Sequence, residues 1–486
     1  MPITRRRFLK AGAMTGASLL LPWNIHLQRA LAQPLSGGTL DPLEIRKYRT
    51  PLVIPPAMPR TSRTRGSSGR AIDYYEIAVR QFEQQILPVP HPVTKVWSYG
   101  SVNHPGTFNY PAFTIEAGWR SPVRVKWVND LVDSNGSFLP HLLPVDPTLH
   151  WANPPGGREG RDTRPTFADT PGPYTGPVPI VTHLHGSAGV GDESDGYPEA
   201  WYLPKAANID PRFAKVGTWY QHFRAKAQRS FGQAWTPGAA VFQYPNDHRA
   251  ATLWYHDHTL GMTRVNVYAG PAGFYLVRGG PDDQVIDSRF GTKAVLPGPA
   301  PALGDPAGLV YYEIPIAVQD RSFNDDGSLF YPDSRAFFDG ATAENPGYIP
   351  ETDLSPIWNP EFFGNTIVVN GKTWPFLQVE QRRYRFRFLN GCNSRFLVLK
   401  FDNPKVDVWQ IGTEAGFLPA PIRINDLDVG GLGGVLLMTP AERSDVIVDF
   451  TNVPAGTSVL LRNLGPDEPF GGFPTPASDP DTTGQV

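Results

Sequence analysis

The sequence lacks disulfide-forming cysteine pairs, a strong net charge and long apolar runs beyond the N-terminus. Its 486 residues include one cysteine, Cys392, which excludes an internal disulfide and leaves packing or bound metal to stabilise the fold. Basic residues (44) nearly balance acidic ones (46), so no whole-chain field exists that would hold nucleic acid or an anionic membrane. Long helical periodicity is scarce, and beyond the N-terminus no apolar run is long enough to span a bilayer.

Glycine, proline and aromatic residues are abundant instead. Glycine (48) and proline (52) together make up about a fifth of the chain, against the usual ~12%. Short strands joined by long, stiff loops would have this composition, and the length favours two domains or three small ones. We therefore predict an all-β fold built from antiparallel sandwiches or barrels.

The N-terminus resembles a twin-arginine export signal. TRRRFLK at residues 4–10 precedes a modestly apolar run at 11–23, and small residues at 30–32 offer a cleavage site. The alternative, a membrane anchor, is disfavoured because the run is shorter than the ~20 apolar residues of a spanning helix and contains a proline. Residues 1–32 are thus predicted to be removed, leaving a periplasmic or secreted protein that begins at Gln33 and contacts no membrane.

One sequence pattern occurs twice. Each copy has a proline, an Ile or Val followed by Glu, a strand of alternating polarity, and a closing asparagine; the copies occupy residues 111–129 and 375–390. In the second copy, aromatic residues alternate with Arg385 and Arg387, the pattern of a half-buried strand with one polar face. The pattern indicates a β-domain that occurs twice.

The domain boundary is predicted in a segment rich in Gly, Pro and Asp, which we interpret as a linker at 280–308. The first domain would then occupy residues 33–279 and the second residues 309–480.

Four of the 11 histidines form two His-x-His pairs, His183 with His185 and His256 with His258. On a strand, residues i and i+2 face the same side, so two such strands side by side would present four imidazoles to one space. One isolated pair is usually an ordinary surface or core pair, but two pairs in apolar or aromatic contexts favour a metal site. Copper, zinc, iron and nickel all accept imidazole. The histidines without paired spacing are interpreted as structural or solvated: His26, His91, His104, His141, His150, His222 and His248.

Six segments resemble the multicopper oxidase family, in particular its spore-coat laccase and bilirubin oxidase group. The segments similar to the first cupredoxin domain are HLHG at 183–186, ESDGYPEAW at 193–201 and WYHDHTLGMTR at 254–264. Those similar to the second are NTIVVNGKTWP at 365–375, YRFRFLNG at 384–391 and PAERSDVIVD at 440–449. The resemblance implies tandem cupredoxin-like Greek-key β-sandwich domains.

The resemblance also implies a copper centre. It makes His183 a ligand of the type 2 copper and His185, His256 and His258 ligands of the type 3 pair. In the family, four histidines of a third domain complete this trinuclear cluster, which reduces dioxygen to water with electrons from phenols, bilins or metal ions. Asp195 matches an acidic residue near the family's oxygen or water channel, where it would deliver protons; a solvated loop carboxylate is the alternative.

The family's type 1 copper ligands are missing from the sequence. No histidine follows His258, and Cys392 has no neighbouring histidine, so we expect it to be a structural residue. Residues 481–486 resemble the connector to the absent third domain, and this chain alone is not expected to complete the reaction. The alternatives are a non-catalytic copper-binding or structural module and, more weakly, a zinc hydrolase, which would need an acidic base near the metal; Asp257 is predicted to point away.

Overall fold

The computed structural model describes residues 39–473, with gaps at 67–68, 169–170, 288 and 334–360. The predicted export signal at 1–32 and the predicted connector at 481–486 lie outside the described residues. Of the helices in the described ranges, none has the length and apolar character needed to cross a membrane.

Strands dominate the described residues, as predicted. The strands are β1 (Ser62–Arg65), β2 (Ala71–Gln84), β3 (Thr94–Ser101), β4 (Ala112–Gly118), β5 (Val123–Asn129), β6 (Thr182–His185), β7 (Ala239–Tyr244), β8 (Ala251–Asp257), β9 (Ala272–Arg278), β10 (Ile286–Asp287), β11 (Thr292–Lys293), β12 (Glu313–Phe323), β13 (Leu329–Phe330), β14 (Thr366–Val369), β15 (Lys372–Thr373), β16 (Arg383–Asn390), β17 (Leu397–Phe401), β18 (Asp407–Thr413), β19 (Gly416–Arg423), β20 (Leu436–Met438), β21 (Arg443–Asp449) and β22 (Leu461–Asn463).

Helices are short. The α-helices are α1 (Gly157–Gly160), α2 (Tyr220–Phe231) and α3 (Thr263–Ala269). The 3-10 helices are Pro42–Glu44, Pro105–Thr107, Pro154–Gly156, Asp192–Ser194, Pro198–Ala200 and Ile424–Asp426. Helix α2 was not predicted, although its buried residues Tyr220, Phe223 and Ala227 have the i, i+3, i+7 spacing of one helix face.

The first sandwich consists of two sheets built from β1 to β9. One sheet has the order β1-β2-β5-β7, with β3 paired to β2, and the other has the order β4-β9-β8-β6. Aromatic side chains fill the space between the sheets: Tyr99 packs against both Trp127 and Tyr255, with ring centroids 5.3 and 5.1 Å apart. This core gives β8 and β6 a rigid support on one face.

The second sandwich is built from β12 to β22. Its larger sheet has the order β15-β14-β12-β16-β21-β18-β19, with β13 paired to β12, and its smaller sheet has the order β20-β17-β22. In the predicted linker, β10 and β11 form a two-residue antiparallel pair. The proposed boundaries at 279 and 309 stay predictions.

The two copies of the repeated pattern have equivalent roles. The alternating strand is parallel to the first long strand of its sheet in both cases, β5 beside β2 and β16 beside β12. Each strand ends at its asparagine, and each asparagine side chain donates to two backbone carbonyls of other segments: Asn129 to Val178 and Tyr202, Asn390 to Arg395 and Met438. The closing asparagine thus joins the end of the strand to its neighbours twice in the fold.

The prediction of a half-buried strand in the second copy was wrong, because all residues of β16 but the first are buried. Arg385 and Arg387 are each only 4% exposed, because that face of β16 packs against the first sandwich. Their charges are compensated by Glu313 on β12 and Asp445 on β21. Alternation of polarity therefore identified the strand, but it did not show that the polar face is buried with its charges paired.

Candidate metal centre

The two His-x-His pairs lie on adjacent antiparallel strands, as predicted. In the register of β6 and β8, His183 is opposite His256 and His185 is opposite Trp254. The intervening Leu184 points to the other face, where it is buried in the core of the first sandwich. Period-two alternation thus separates apolar side chains on one face from imidazoles on the other.

His258 joins this group from just beyond the end of β8. Its backbone N–H donates to the carbonyl of Val181 at 2.7 Å, which extends the pairing of the two segments by one residue. Its ring centroid lies 4.8 Å from that of His183 and 5.9 Å from that of His256. The four imidazoles therefore occupy one cluster.

Three of the imidazoles are oriented by carbonyl oxygens. The Nδ1–H of His183 donates to Asp195 O at 2.5 Å, that of His256 to Asp257 O at 2.7 Å, and that of His258 to Gly196 O at 3.1 Å. A carbonyl can only accept, so each Nδ1 carries the hydrogen and the Nε2 lone pair of the neutral ring stays available for a metal. Ligating histidines usually have a partner of this kind.

His185 is arranged differently. Its Nδ1 lies 3.4 Å from Nε2 of His256, and one nitrogen of each of His183, His185 and His256 can be chosen so that all three lie within 4.8 Å of one another. Two nitrogens bound to one ion at ~2.0 to 2.1 Å with a tetrahedral angle would be about 3.4 Å apart. The spacing of His185 and His256 therefore fits two ligands of one ion, and imidazole nitrogens are suitable ligands for copper.

The surroundings favour the neutral form of His185, His256 and His258. Burial, with smaller contributions from the nearby Arg443 guanidinium and from the His183 and His258 rings, lowers the pKa of His185 to about 4. Burial also lowers the pKa values of His256 and His258, with a contribution from neighbouring rings. The neutral imidazole is the form that binds metal, so the site does not have to lose protons near neutral pH.

Asp195 follows the 3-10 helix at Asp192–Ser194 and lies beside His183. Its carboxylate Oδ1 is 3.5 Å from His183 Nδ1, and its side chain is about half exposed. Burial of the remainder raises the carboxyl pKa, while His183 and His258 lower it. The carboxyl group thus connects the imidazole cluster to solvent.

Two residues near the histidines were not assigned a role from the sequence. Asp257 points away from the imidazoles, as predicted, but its carboxylate is buried and accepts several hydrogen bonds. Arg443 belongs to a segment that resembles the family, but no role was predicted for it. Its Nε donates to Thr252 O on β8 at 3.0 Å. Its Nη2 also lies close to Gly186, where an added Cβ would be 2.5 Å away. Sequence spacing does not indicate the contacts of Arg443 with Thr252 and with Gly186, because each contact joins segments that are distant in sequence.

The chain is similar in sequence to known proteins. No protein-family model matches the chain. A laccase of Bacillus stratosphericus is 36% identical over 396 residues, which cover 81% of this chain and 58% of that protein. A laccase of Bacillus subtilis is 33% identical over 391 residues, covering 80% of this chain and 57% of that protein.

A solved multicopper oxidase of Pediococcus acidilactici supports the fold. It has a TM-score of 0.52 at 20% identity, covering 86% of this chain and 60% of that one. The chain thus spans somewhat under two thirds of the length of the proteins it matches. The sequence similarity to laccases and the shared cupredoxin-like fold show that this chain belongs to the multicopper oxidase family.

Proposed function

We propose that this chain supplies half of the imidazole ligands of an oxygen-reducing copper centre in a laccase-like oxidase. His183 would bind the type 2 copper, and His185, His256 and His258 the type 3 pair. The observation that supports this proposal best is the convergence of four imidazoles, three of which donate Nδ1–H to backbone carbonyls. A merely structural cluster of histidines would not need three of its rings held in this way.

Copper bound at these rings would supply one-electron steps that couple oxidation of a small reductant to reduction of dioxygen to water. The protein's own residues would do the rest. The backbone carbonyls hold three of the rings in orientation, and Asp195, which lies between His183 and solvent, would deliver protons to the site.

The remaining parts of the function are proposals of the same kind. The reductant would be a phenol, a bilin or a metal ion, and electrons would enter at a type 1 site whose ligands, with four further histidines, lie outside these 486 residues. The twin-arginine segment at the N-terminus would direct the protein to the periplasm or outside the cell.

Copper binding by the full chain tests the ligand assignment. We expect the purified chain to take up Cu²⁺ in labile form, because half a ligand shell leaves each ion open to water and chelators, and to show no strong blue band. The double variant His183→Ala/His256→Ala should bind none. His222→Ala, which removes an exposed imidazole from α2, is the matched control and should bind copper like the unaltered chain.

Two results would contradict the proposal. Unchanged copper uptake by the double variant would show that these imidazoles are not the ligands. Oxygen consumption by this chain alone, with a phenol as reductant, would show that electrons do not need a type 1 site outside it.

A further inference from the structure

We propose that Asp257, the residue between the two histidines of the second pair, is a positioning residue that holds both His-x-His pairs in one arrangement. The proposal rests on the proposed function in one respect, namely that the imidazoles bind copper. Asp257 does not face the imidazoles; it acts through the backbone that carries them.

The Asp257 carboxylate accepts four hydrogen bonds although it is only 1% exposed. Val181 N and Thr259 Oγ1 donate to Oδ1 at 3.1 and 2.9 Å. Thr259 N and Asn266 Nδ2 donate to Oδ2 at 3.0 and 2.8 Å. No cationic side chain pairs with it among the residues that the structure describes, so these donors alone compensate its burial.

The carboxylate acts where the strand ladder ends. In the pairing of β6 with β8, the last residue pair is that of Thr182 with Asp257. Beyond it, Val181 donates its N–H to the Asp257 side chain and accepts the N–H of His258 with its carbonyl. The side chain therefore replaces a missing backbone partner, and it fixes His258 relative to the strand that carries His183.

Asn266 on α3 shows why a carboxylate is required. Leu143 N donates to His141 Nδ1 at 2.8 Å, so the hydrogen of the neutral ring is on Nε2, which donates to Asn266 Oδ1 at 3.0 Å. The amide NH2 group of Asn266 must then face Asp257. An asparagine at position 257 would turn its own NH2 group toward some of these donors in either orientation, whereas a carboxylate only accepts.

A second buried aspartate provides a matched control. Asp146 accepts from Thr148 N and Thr148 Oγ1 at 2.8 and 2.7 Å, the same contact with a threonine two residues later that Asp257 makes. Asp146 is 5% exposed, but it does not lie between two imidazoles. Replacing it removes a buried carboxylate that makes the same threonine contact through one of its oxygens, without touching the ends of β6 and β8.

The test compares Asp257→Asn with Asp146→Asn in the full chain. Copper affinity is measured by competition with a chelator, the copper environment by electron paramagnetic resonance, and backbone pairing by amide hydrogen exchange at Val181. We expect Asp257→Asn to weaken copper binding 10- to 100-fold, the usual effect of losing an orienting partner, to alter the resonance spectrum and to speed exchange at Val181 at least tenfold. Asp146→Asn should leave all three unchanged.

Two further variants make the result independent of folding. Thr259→Val removes one donor while keeping the volume, and should weaken copper binding several-fold in a folded protein. Asp257→Asn/Asn266→Asp exchanges the two groups, so that the new carboxylate accepts from both residue 257 and His141, and should recover part of the affinity that Asp257→Asn loses.

The outcomes separate the two proposals. The positioning role would be overturned if Asp257→Asn bound copper within twofold of the affinity of the unaltered chain, with unchanged exchange at Val181. Equal losses of affinity in Asp146→Asn would also overturn it. If Asp257→Asn does not fold, unchanged copper affinity in Thr259→Val would overturn it instead. If the unaltered chain binds no copper, the proposed function fails, and exchange at Val181 alone decides whether Asp257 holds the two strands together.

Discussion

Replacement of Glu313 by glutamine should cost several kcal/mol of stability for a small change in shape. It lies at the start of β12, and its side chain is 7% exposed and surrounded by three arginines. Oε1 is 2.6 Å from Arg387 Nε and 2.8 Å from Arg278 Nη1, and Oε2 is 3.6 Å from Arg385 Nη1. Arg278 belongs to β9 of the first sandwich, so this carboxylate joins the two sandwiches.

The size of the effect follows from the pKa of Glu313. Burial raises this pKa, but the charges of Arg387, Arg385 and Arg278 outweigh burial and lower it from 4.5 to about 2. A difference of that size between the folded and unfolded states corresponds to about 3 kcal/mol at neutral pH. Removing one partner from a buried ion cluster typically costs ~3 to 5 kcal/mol, which agrees. We therefore expect Glu313→Gln to lower the free energy of unfolding by about 3 kcal/mol.

Urea unfolding at pH 7, followed by tryptophan fluorescence, measures this change without adding salt. Arg383→Gln is the matched control: it lies on β16 with Arg385 and Arg387, but its side chain is 60% exposed and pairs with Asp449 at the surface. Such pairs contribute ~0 to 1 kcal/mol. A loss of less than 1 kcal/mol in Glu313→Gln, or an equal loss in both variants, would refute the reasoning.

The pH dependence provides a second check on Glu313. Because its folded pKa lies below the unfolded value, its contribution is fully present above pH 4.5 and is lost as pH falls toward 2. The difference between the unaltered chain and Glu313→Gln should shrink to roughly half near pH 3. A difference that stays constant between pH 7 and pH 3 would show that the loss has a steric rather than an electrostatic origin.

Three further predictions concern Gly196, His141 and Cys392. Gly196 has φ +74°, and a Cβ there would lie 2.2 Å from a backbone carbonyl oxygen, whereas Gly189 has φ +73° and nothing near its Cβ position. In urea unfolding, Gly196→Ala should therefore lower the free energy of unfolding clearly more than the ~1 to 2 kcal/mol expected for Gly189→Ala. Burial lowers the pKa of His141 to about 4, below that of the unfolded chain, so stability should fall by up to about 3 kcal/mol as pH drops from 6.5 to 4 and by less in His141→Gln. Burial raises the pKa of the Cys392 thiol well above its ordinary value; a disulfide reagent should leave it unmodified in the folded chain and titrate one thiol after unfolding, and rapid modification at neutral pH without denaturant would contradict this.

Features of the fold that depend on local pattern were predictable from the sequence. Alternating polarity identified β5 and β16, and the closing Asn129 and Asn390 mark their ends. Long-range pairing was not predictable: nothing in the sequence indicates that β16 lies parallel to β12 rather than to another strand. The buried state of Arg387 was missed for the same reason, since its partner Glu313 is 74 residues away along the chain.

The candidate site divides in the same way. His-x-His spacing predicted that each pair faces one side, and the register of β6 and β8 places His183 opposite His256. The spacing of the motif says nothing about which ring nitrogen stays free, because that depends on carbonyls of Asp195 and Gly196, which come from a separate loop. Side-chain type can thus be read from sequence, but ligand orientation requires the tertiary structure.

The position of the imidazoles depends on both sandwiches, although every histidine of the cluster belongs to the first. Thr252, Trp254 and His256 lie on the same face of β8. The second sandwich covers the first two: Arg387 donates to Thr252 Oγ1 at 2.7 Å, and Trp254 packs in a cluster that includes Leu389. His256 comes next on that face, with its ring 4.1 Å from that of Trp254. The covered part of β8 therefore supports the imidazole that follows it, so the position of His256 depends on the second sandwich as well as on the first.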